Sequence, residues 1–438
     1  MKFFKIDHSN SFLLFQIMKY AALILISIAL AKSYLSLADL GKYENFIFLS
    51  STVSFFWVTG LMQTLLSHPD ANNKTRKDGA TIFFSSFVLL LILSIISAAL
   101  IFMAFNIRSI EAFCGFNSDD KLLLLLYLML NPSGFLIEYL LLLKKLYKKL
   151  VLFGIMSVLV PLIIIPLPAF FGLEVSFCFY GLVAWSVIKL LILMYLLLKH
   201  STIKINKKEI SDLFTEALPL IGTTLVVGSA AYVDGIIITT NYDAATFAVF
   251  RFGAREFPLF MLIAASFSTS LIPMISVSKN ISSELDNIKN KSKQMIYSLF
   301  PVAIVLMLTS QFLFPLVFNP DFKESYKIFD VYLLLVISRF VFPQSILMGM
   351  KEHKTIFFVS IIELVINISS SLLFIYYFGF IGVAFGTVVA YFFEKYLLVL
   401  FIRKKHYIKG NKYIPTAELM IISISFLLIF ILKSILII

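Results

Sequence analysis

Apolar runs long enough to cross a bilayer follow one another along almost the whole chain, with short polar stretches between them. A spanning helix needs about 20 predominantly apolar residues. About thirteen segments qualify, near residues 13–36, 43–67, 80–106, 121–143, 150–171, 176–198, 214–239, 246–275, 294–318, 328–350, 355–378, 381–401 and 415–437. The pattern predicts an all-α polytopic membrane protein. With the N-terminus on the cytoplasmic side, the start of the chain and the stretches NNKTRKDG, KKLYKK, KHSTIKINKK, SKNISSELDNIKNKSK, KEHK and RKKHYIKGNK all fall inside. They hold about 24 Lys and Arg against about five in the alternate loops, and such a bias marks the cytoplasmic face. Most loops on the other face are as short as GLEV, NYDAA and GF.

The pattern also repeats. EYLLLLKKLYKK, closing the fourth segment, returns about 206 residues later as QSILMGMKEHKT, closing the tenth. At the same offset Lys189 falls on Lys395 and His200 on His406. Six segments per half is an even number, so the halves share one orientation, which is a parallel repeat about an axis along the membrane normal. The expected architecture is two six-helix lobes, residues 1–200 and 214–402, related by a pseudo-two-fold axis around a central cavity. A cytoplasmic linker is expected over 201–213, and an extra transmembrane helix, without a partner in the repeat, over 414–438. Two facing lobes are a transporter plan, although internal repeats also occur in channels and membrane enzymes.

Composition agrees with the membrane reading. The 438 residues are 60% hydrophobic and 14% charged, with a mean hydropathy of +0.95. A soluble domain carries about 25% charged and about 45–50% apolar residues. The formal net charge of +12 lies in loops that belong at a membrane surface, so no nucleic-acid partner is expected. No small-residue cleavage site follows the first apolar run, and the first segment is expected to stay as a span. Cys114 and Cys178 form no motif and read as packing residues. His8, His68, His200, His353 and His406 fall singly in loops or at segment ends, without ligand spacing, so no metal site is expected. There is no Gly-x-x-x-x-Gly-Lys-Ser/Thr loop. Energy for transport would come from an ion gradient, the membrane potential or consumption of the product.

Charges inside apolar segments need a reason, because an ionised side chain facing lipid at mid-membrane costs at least about 2.5–3.5 kcal/mol. The stretch TFAVFRFGAREFPLF sets Arg251, Arg255 and Glu256 among phenylalanines. Read as one helix from residue 246, it places Arg251 and Arg255 about 8–14 Å down its length and on one face. Asp234 falls at a similar depth near the end of the preceding segment. Three readings stand: an ion pair of Asp234 or Glu256 with one arginine, snorkelling of both arginines to headgroups, or a cationic lumen patch for an anionic substrate. Arginine makes bidentate contacts to phosphate that lysine cannot. Lys19, Lys32 and Arg339 are further intrasegment cations, and Lys189 and Lys395 sit where they can either snorkel or line a cavity. Glu138, Glu363 and Glu394 are the other carboxylates, Glu394 reading as a local partner of Lys395. Cations outnumber carboxylates, so a net positive cavity is expected. Asp234, Glu138, Glu363 and Glu256 are the groups expected either to couple H+ or Na+ or to pair structurally. No catalytic residue and no other cofactor is expected.

Several stretches resemble the multidrug/oligosaccharidyl-lipid/polysaccharide exporter superfamily, and within it the polysaccharide flippases of the O-antigen type. They are GFIGVAFGT (379–387), Asn367 within ELVINISSSLLFIYYFG, QSILMGMKEHK, ALPLIGTTLVVGSAAYVDGIII and AKSYLSLADLGKYENF. The family usually has twelve or fourteen spans, a departure from the thirteen segments here. The resemblance implies a flippase for a polyprenyl-diphosphate-linked oligosaccharide in polysaccharide or lipopolysaccharide biosynthesis. It would sit in a bacterial cytoplasmic (inner) membrane, in contact with membrane lipids and with a polysaccharide polymerase as a candidate partner. It also implies a cationic cavity to which Lys19, Lys32, Arg251 and Arg255 contribute. Two alternatives are an ion-coupled multidrug exporter of the same superfamily and, less well matched by such short outer loops, a membrane polysaccharide polymerase or ligase.

Overall fold

Local chemistry sets where helices begin. Ser36 accepts a hydrogen bond from the Asp39 amide while Asp39 accepts one from the Ser36 amide, and Asn117 and Asp120 repeat the arrangement. Each reciprocal pair satisfies two of the orphan donors at a helix start. The computed structural model describes residues 8–68, 81–105, 115–255, 258–277 and 281–436. Among them every long element is an α-helix: α1 (His8–Ala31), α2 (Leu37–Ser67), α3 (Thr81–Ala104), α4 (Ser118–Leu130), α5 (Phe135–Leu143), α6 (Tyr147–Ile164), α7 (Leu167–Phe170), α8 (Val175–His200), α9 (Lys207–Asn241), α10 (Ala244–Gly253), α11 (Pro258–Val277), α12 (Ile281–Val317), α13 (Ser325–Leu333), α14 (Leu335–Arg339), α15 (Pro343–Gly349), α16 (His353–Phe378), α17 (Phe380–His406) and α18 (Thr416–Leu436).

Among the described residues eleven stretches are long and apolar enough to cross a membrane, and twelve if α13–α15, bent by 43°, count as one. The expectation of thirteen is corrected at the eighth segment. Residues 246–275 do not form one helix: α10 ends at Gly253, and α11 starts at Pro258. Proline suits a first helical position, where its missing N–H would have no partner. Two polar stretches read as loops are helical as well. α9 begins at Lys207, inside the stretch expected to link two lobes, and α12 begins at Ile281. In α12 the buried Leu285, Ile288, Ser292 and Ile296 recur at helical spacing, one buried stripe on an otherwise charged helix.

The chain forms two compact units, residues 1–228 with 243–248, and residues 229–242 with 249–438. In the first, α1 lies along α6, with Phe15 stacked on Phe153. Trp57, Leu61, Phe83, Leu140 and Leu197 belong to its buried core. In the second, α16 and α17 fold back on each other at Gly379, whose φ is +59°, a region that favours glycine. A Cβ at Gly382 would lie 2.1 Å from the Phe374 carbonyl oxygen, and one at Gly386 2.2 Å from Ser371 Oγ. Small residues let transmembrane backbones approach this closely, and GFIGVAFGT is used that way here. α18 is tied to the same unit by Lys433, whose ammonium is buried against Asp330, Ser310 and the Met307 carbonyl.

Candidate polar clusters at breaks in the spans

Each unit carries a buried polar cluster built on sequence-predicted residues, around Glu138 in the first and Asp234 in the second. In the first unit the span formed by α4 and α5 breaks at a 3-10 turn, Pro132–Gly134, with all three residues buried. Lys189 of α8 runs past this turn. Its Cδ would lie 3.0 Å from a Cβ at Gly134, and its ammonium donates to Asn131 Oδ1. Lys19 of α1 reaches the other side of the cluster and binds both oxygens of Glu138, at 3.1 and 3.2 Å. Glu138 opens α5 and its side chain is 4% exposed, whereas that of Lys19 is 33% exposed. The Lys19 ammonium also lies over the rings of Phe15 and Phe135. Two ammonium groups and one carboxylate leave one formal positive charge in excess. Irregular backbone at membrane depth is tolerated where it is buried in protein or lines a cavity, so this break provides room for polar side chains.

The second cluster gathers oxygens. Asp234 of α9 is buried and accepts from Thr387 Oγ1 of α17 at 2.5 Å and from the Tyr332 hydroxyl of α13. Asn367 of α16 adds its side-chain carbonyl, 3.1 Å from Ser371 Oγ and 3.4 Å from Thr387 Oγ1, and the Val383 carbonyl lies 3.3 Å from both hydroxyls. The Gly386 approach makes this possible, because it brings the Thr387 and Asn367 faces of α17 and α16 into contact. Glu363, one turn before Asn367, is buried, and its Oε1 has no hydrogen-bond partner among the described residues. Burying a carboxylate oxygen unsatisfied is costly, so Glu363 is a group whose polar demand the surrounding helices meet only in part.

The arginines lie at the break between α10 and α11. Arg251 is in the last turn of α10, where a helix terminus favours cations, and its charge acts on the Asp234 carboxylate. Arg255 follows the helix, with its guanidinium 4.4 Å above the Phe252 ring. Asp243 opens α10 by accepting from the Thr246 amide at 2.9 Å. Bonding to Thr246 holds the Asp243 carboxyl below the usual carboxylate range. Arg339 ends α14, at the bend before α15, and lies over the Tyr391 ring. Lys32 is exposed just beyond α1. Lys395 binds Glu394 at 3.2 Å. Glu256 lies outside the described residues.

The structure thus joins Lys19 to Glu138, and Arg251 to the surroundings of Asp234. Asn131, Thr387, Tyr332 and Ser371 escaped sequence reasoning, because an uncharged polar residue in an apolar helix gives little signal. The turn Asn-Pro-Ser-Gly at 131–134 was a readable break within an apolar segment.

A family model described as a polysaccharide biosynthesis protein matches residues 30–327, and a second with the same description matches residues 275–438. Among solved structures, the lipid II flippase MurJ in an inward closed conformation is 18% identical, covers 96% of this chain and 92% of its own, and superposes with a TM-score of 0.69. A eukaryotic MATE transporter is 13% identical over 95% of this chain and 97% of its own, with a TM-score of 0.64. A transporter of the MOP superfamily from Pyrococcus furiosus is 15% identical over 90% of this chain and 93% of its own, with a TM-score of 0.59. At these identities the likeness is one of fold. No protein of curated function matches the sequence.

Proposed function

We propose that this chain, which belongs to the polysaccharide biosynthesis protein family, is a flippase that carries a polyprenyl-diphosphate-linked oligosaccharide from the cytoplasmic to the outer leaflet. The observation that carries the reading is the set of cations held at breaks in membrane-spanning helices: Lys19 and Lys189 at the α4–α5 turn, Arg251 and Arg255 between α10 and α11, and Arg339 at the bend after α14. Cations placed inside a membrane at such cost suit a diphosphate, whose oxygens accept charge-assisted hydrogen bonds. The headgroup crosses by alternating access while the lipid tail stays in the bilayer. Lys32 meets the substrate at the end of α1. The protein acts as a transporter rather than an enzyme and works beside a polysaccharide polymerase. It lies in a bacterial inner membrane with its N-terminus in the cytoplasm, in an O-antigen or related lipopolysaccharide pathway.

The coupling ion, H+ or Na+, is assigned to the Asp234 cluster. Asp234, Thr387, Ser371, the Asn367 side-chain carbonyl and the Val383 carbonyl are hard oxygen donors from three helices, the ligand type that alkali and proton carriers share. Glu363 is the second candidate carrier in the same unit.

The test is the sidedness of the lipid-linked oligosaccharide in inner-membrane vesicles made with and without the protein. Accumulation on the cytoplasmic leaflet in its absence supports the flippase. Unchanged sidedness, together with raised sensitivity to cationic dyes, turns the assignment to an ion-coupled multidrug exporter, the reading favoured by the likeness of fold to MATE transporters.

A further inference from the structure

We propose that Glu138 is a resident counter-ion, displaced from Lys19 when a phosphate of the substrate binds, and that Lys189 takes over the displaced carboxylate. The inference rests on the flippase reading and specifies how its first-unit cations work.

The geometry sets up a competition. Lys19 offers three donors, and Glu138 accepts from them through both of its oxygens. The two partners are unequally accessible: the Lys19 side chain is one-third exposed and the Glu138 side chain almost fully covered. An anion therefore reaches Lys19 from the open side and meets the carboxylate on the closed side. Two anions on one ammonium repel each other in a weakly polar interior, so the hold of Glu138 weakens as the phosphate gains its own.

A lone displaced carboxylate in an apolar bundle would be costly, and Lys189 removes that cost. Its stem lies against Gly134 of the α4–α5 turn, and its hydrogen bond goes to a neutral acceptor, Asn131 Oδ1. Exchanging a neutral acceptor for a carboxylate strengthens that bond. The Pro132–Gly134 turn makes the exchange short-ranged, because the Lys189 stem runs against Gly134 and Glu138 lies in the first turn of α5, which follows directly. The excess positive charge of the resting cluster is thus not idle. With a phosphate on Lys19 and Glu138 on Lys189, each cation has one anion.

The test uses the purified full chain in nanodiscs of phosphatidylcholine, with farnesyl diphosphate as the probe. Inorganic pyrophosphate, and nanodiscs containing phosphatidylglycerol, separate a free phosphate and a bulk lipid headgroup from a polyprenyl diphosphate. Wild type is expected to bind the probe, and Glu138→Gln to bind it about tenfold tighter, because no resident carboxylate competes. Glu138→Asp, which keeps the charge with a shorter reach, is expected to fall between them and serves if the Gln variant does not fold. Lys189→Met is expected to bind about tenfold more weakly than wild type, and Glu138→Gln with Lys189→Met to bind as tightly as Glu138→Gln alone, since no carboxylate then needs a new partner. A merely structural Lys189 would give additive effects, about a tenfold gain and about a tenfold loss that return the double variant to wild-type affinity. Failure of wild type to bind any polyprenyl diphosphate would sink this inference together with the flippase reading. Binding by wild type with no tightening in Glu138→Gln or Glu138→Asp overturns the exchange alone, as does a double variant that binds no tighter than wild type. Equal binding of inorganic pyrophosphate, or full competition by phosphatidylglycerol, overturns the lipid-linked substrate as the displacing anion.

Discussion

Lys145 and Lys351, about 206 residues apart in the two halves of the chain, adopt the same left-handed backbone conformation, with φ of 58° and 61°. They end their helices with the same hydrogen bonds. Lys145 N–H donates to Leu142 at 3.0 Å and Leu146 N–H to Leu141 at 2.8 Å, while Lys351 N–H donates to Met348 at 3.0 Å and Glu352 N–H to Leu347 at 2.9 Å. Each is the paired closure that satisfies orphan carbonyls at a helix end. The repeat legible in EYLLLLKKLYKK and QSILMGMKEHKT thus extends to individual backbone bonds. Left-handed backbone costs a non-glycine residue roughly 1–2 kcal/mol. Lys145→Gly and Lys351→Gly should each stabilise the protein by about 0.5–1 kcal/mol after the added freedom of the unfolded chain is subtracted. The two gains should add, as checked by thermal unfolding in detergent.

Lys433 and Asp330 form a buried pair, supported by Ser310 and by the Tyr326 ring 4.9 Å from the ammonium. Removing one partner of a buried pair costs about 3–5 kcal/mol, whereas replacing both by apolar groups is often neutral. Lys433→Met should therefore loosen α18, with faster proteolysis near residues 407–415 and a lower Tm. The double variant Lys433→Met with Asp330→Leu should recover most of the loss, and a double-mutant cycle measures it.

Arg251→Ala and Arg255→Ala should each abolish complementation of a strain lacking the protein, while immunoblots show normal amounts in the membrane. Loss of either variant from the membrane would instead make that arginine a packing residue, through the Asp234 surroundings for Arg251 or the Phe252 ring for Arg255.

Asp234→Asn should abolish dependence of transport on the coupling ion, and Thr387→Val should weaken it. In the purified protein, any stabilisation by Na+ seen in wild type should vanish in Asp234→Asn. A wild-type melting curve shifted by Na+ as much as by K+ would leave the proton as the ion.

Glu352, in the turn before α16, accepts from Lys405 at 2.6 Å and lies 3.2 Å from His406. The Lys405 hydrogen bond holds its carboxyl below the usual range. Because the folded-state value lies below the unfolded one, the contribution to stability is fully present above the unfolded-state pKa and is lost as pH falls through the folded one. Glu352→Gln should lower stability at neutral pH by no more than an exposed pair allows, about 0.2–1 kcal/mol, read as a small drop in Tm. The difference from wild type should disappear in acid below the lowered pKa.

The sequence by itself determined the membrane class, the apolar spans and the tandem halves. Each of these depends on a property summed over many residues: overall apolar composition for the class, about 20 apolar positions for a span, and a repeated pattern for the halves. It also marked Lys19, Glu138, Asp234, Arg251 and Arg255 as costly and so in need of partners. Which partner each has was decided by tertiary structure. Lys19 and Glu138 are 119 residues apart, and Asp234 and Thr387 are 153 apart, separations that no local pattern reports. The breaks in the spans were legible only in part. Pro258 and Pro132 are visible in the chain, but hydropathy averaged over a window runs straight across the ends of α10 and α14. A helix stops where its neighbours meet the polar demand of its freed backbone and side chains, and only the packed molecule contains those neighbours.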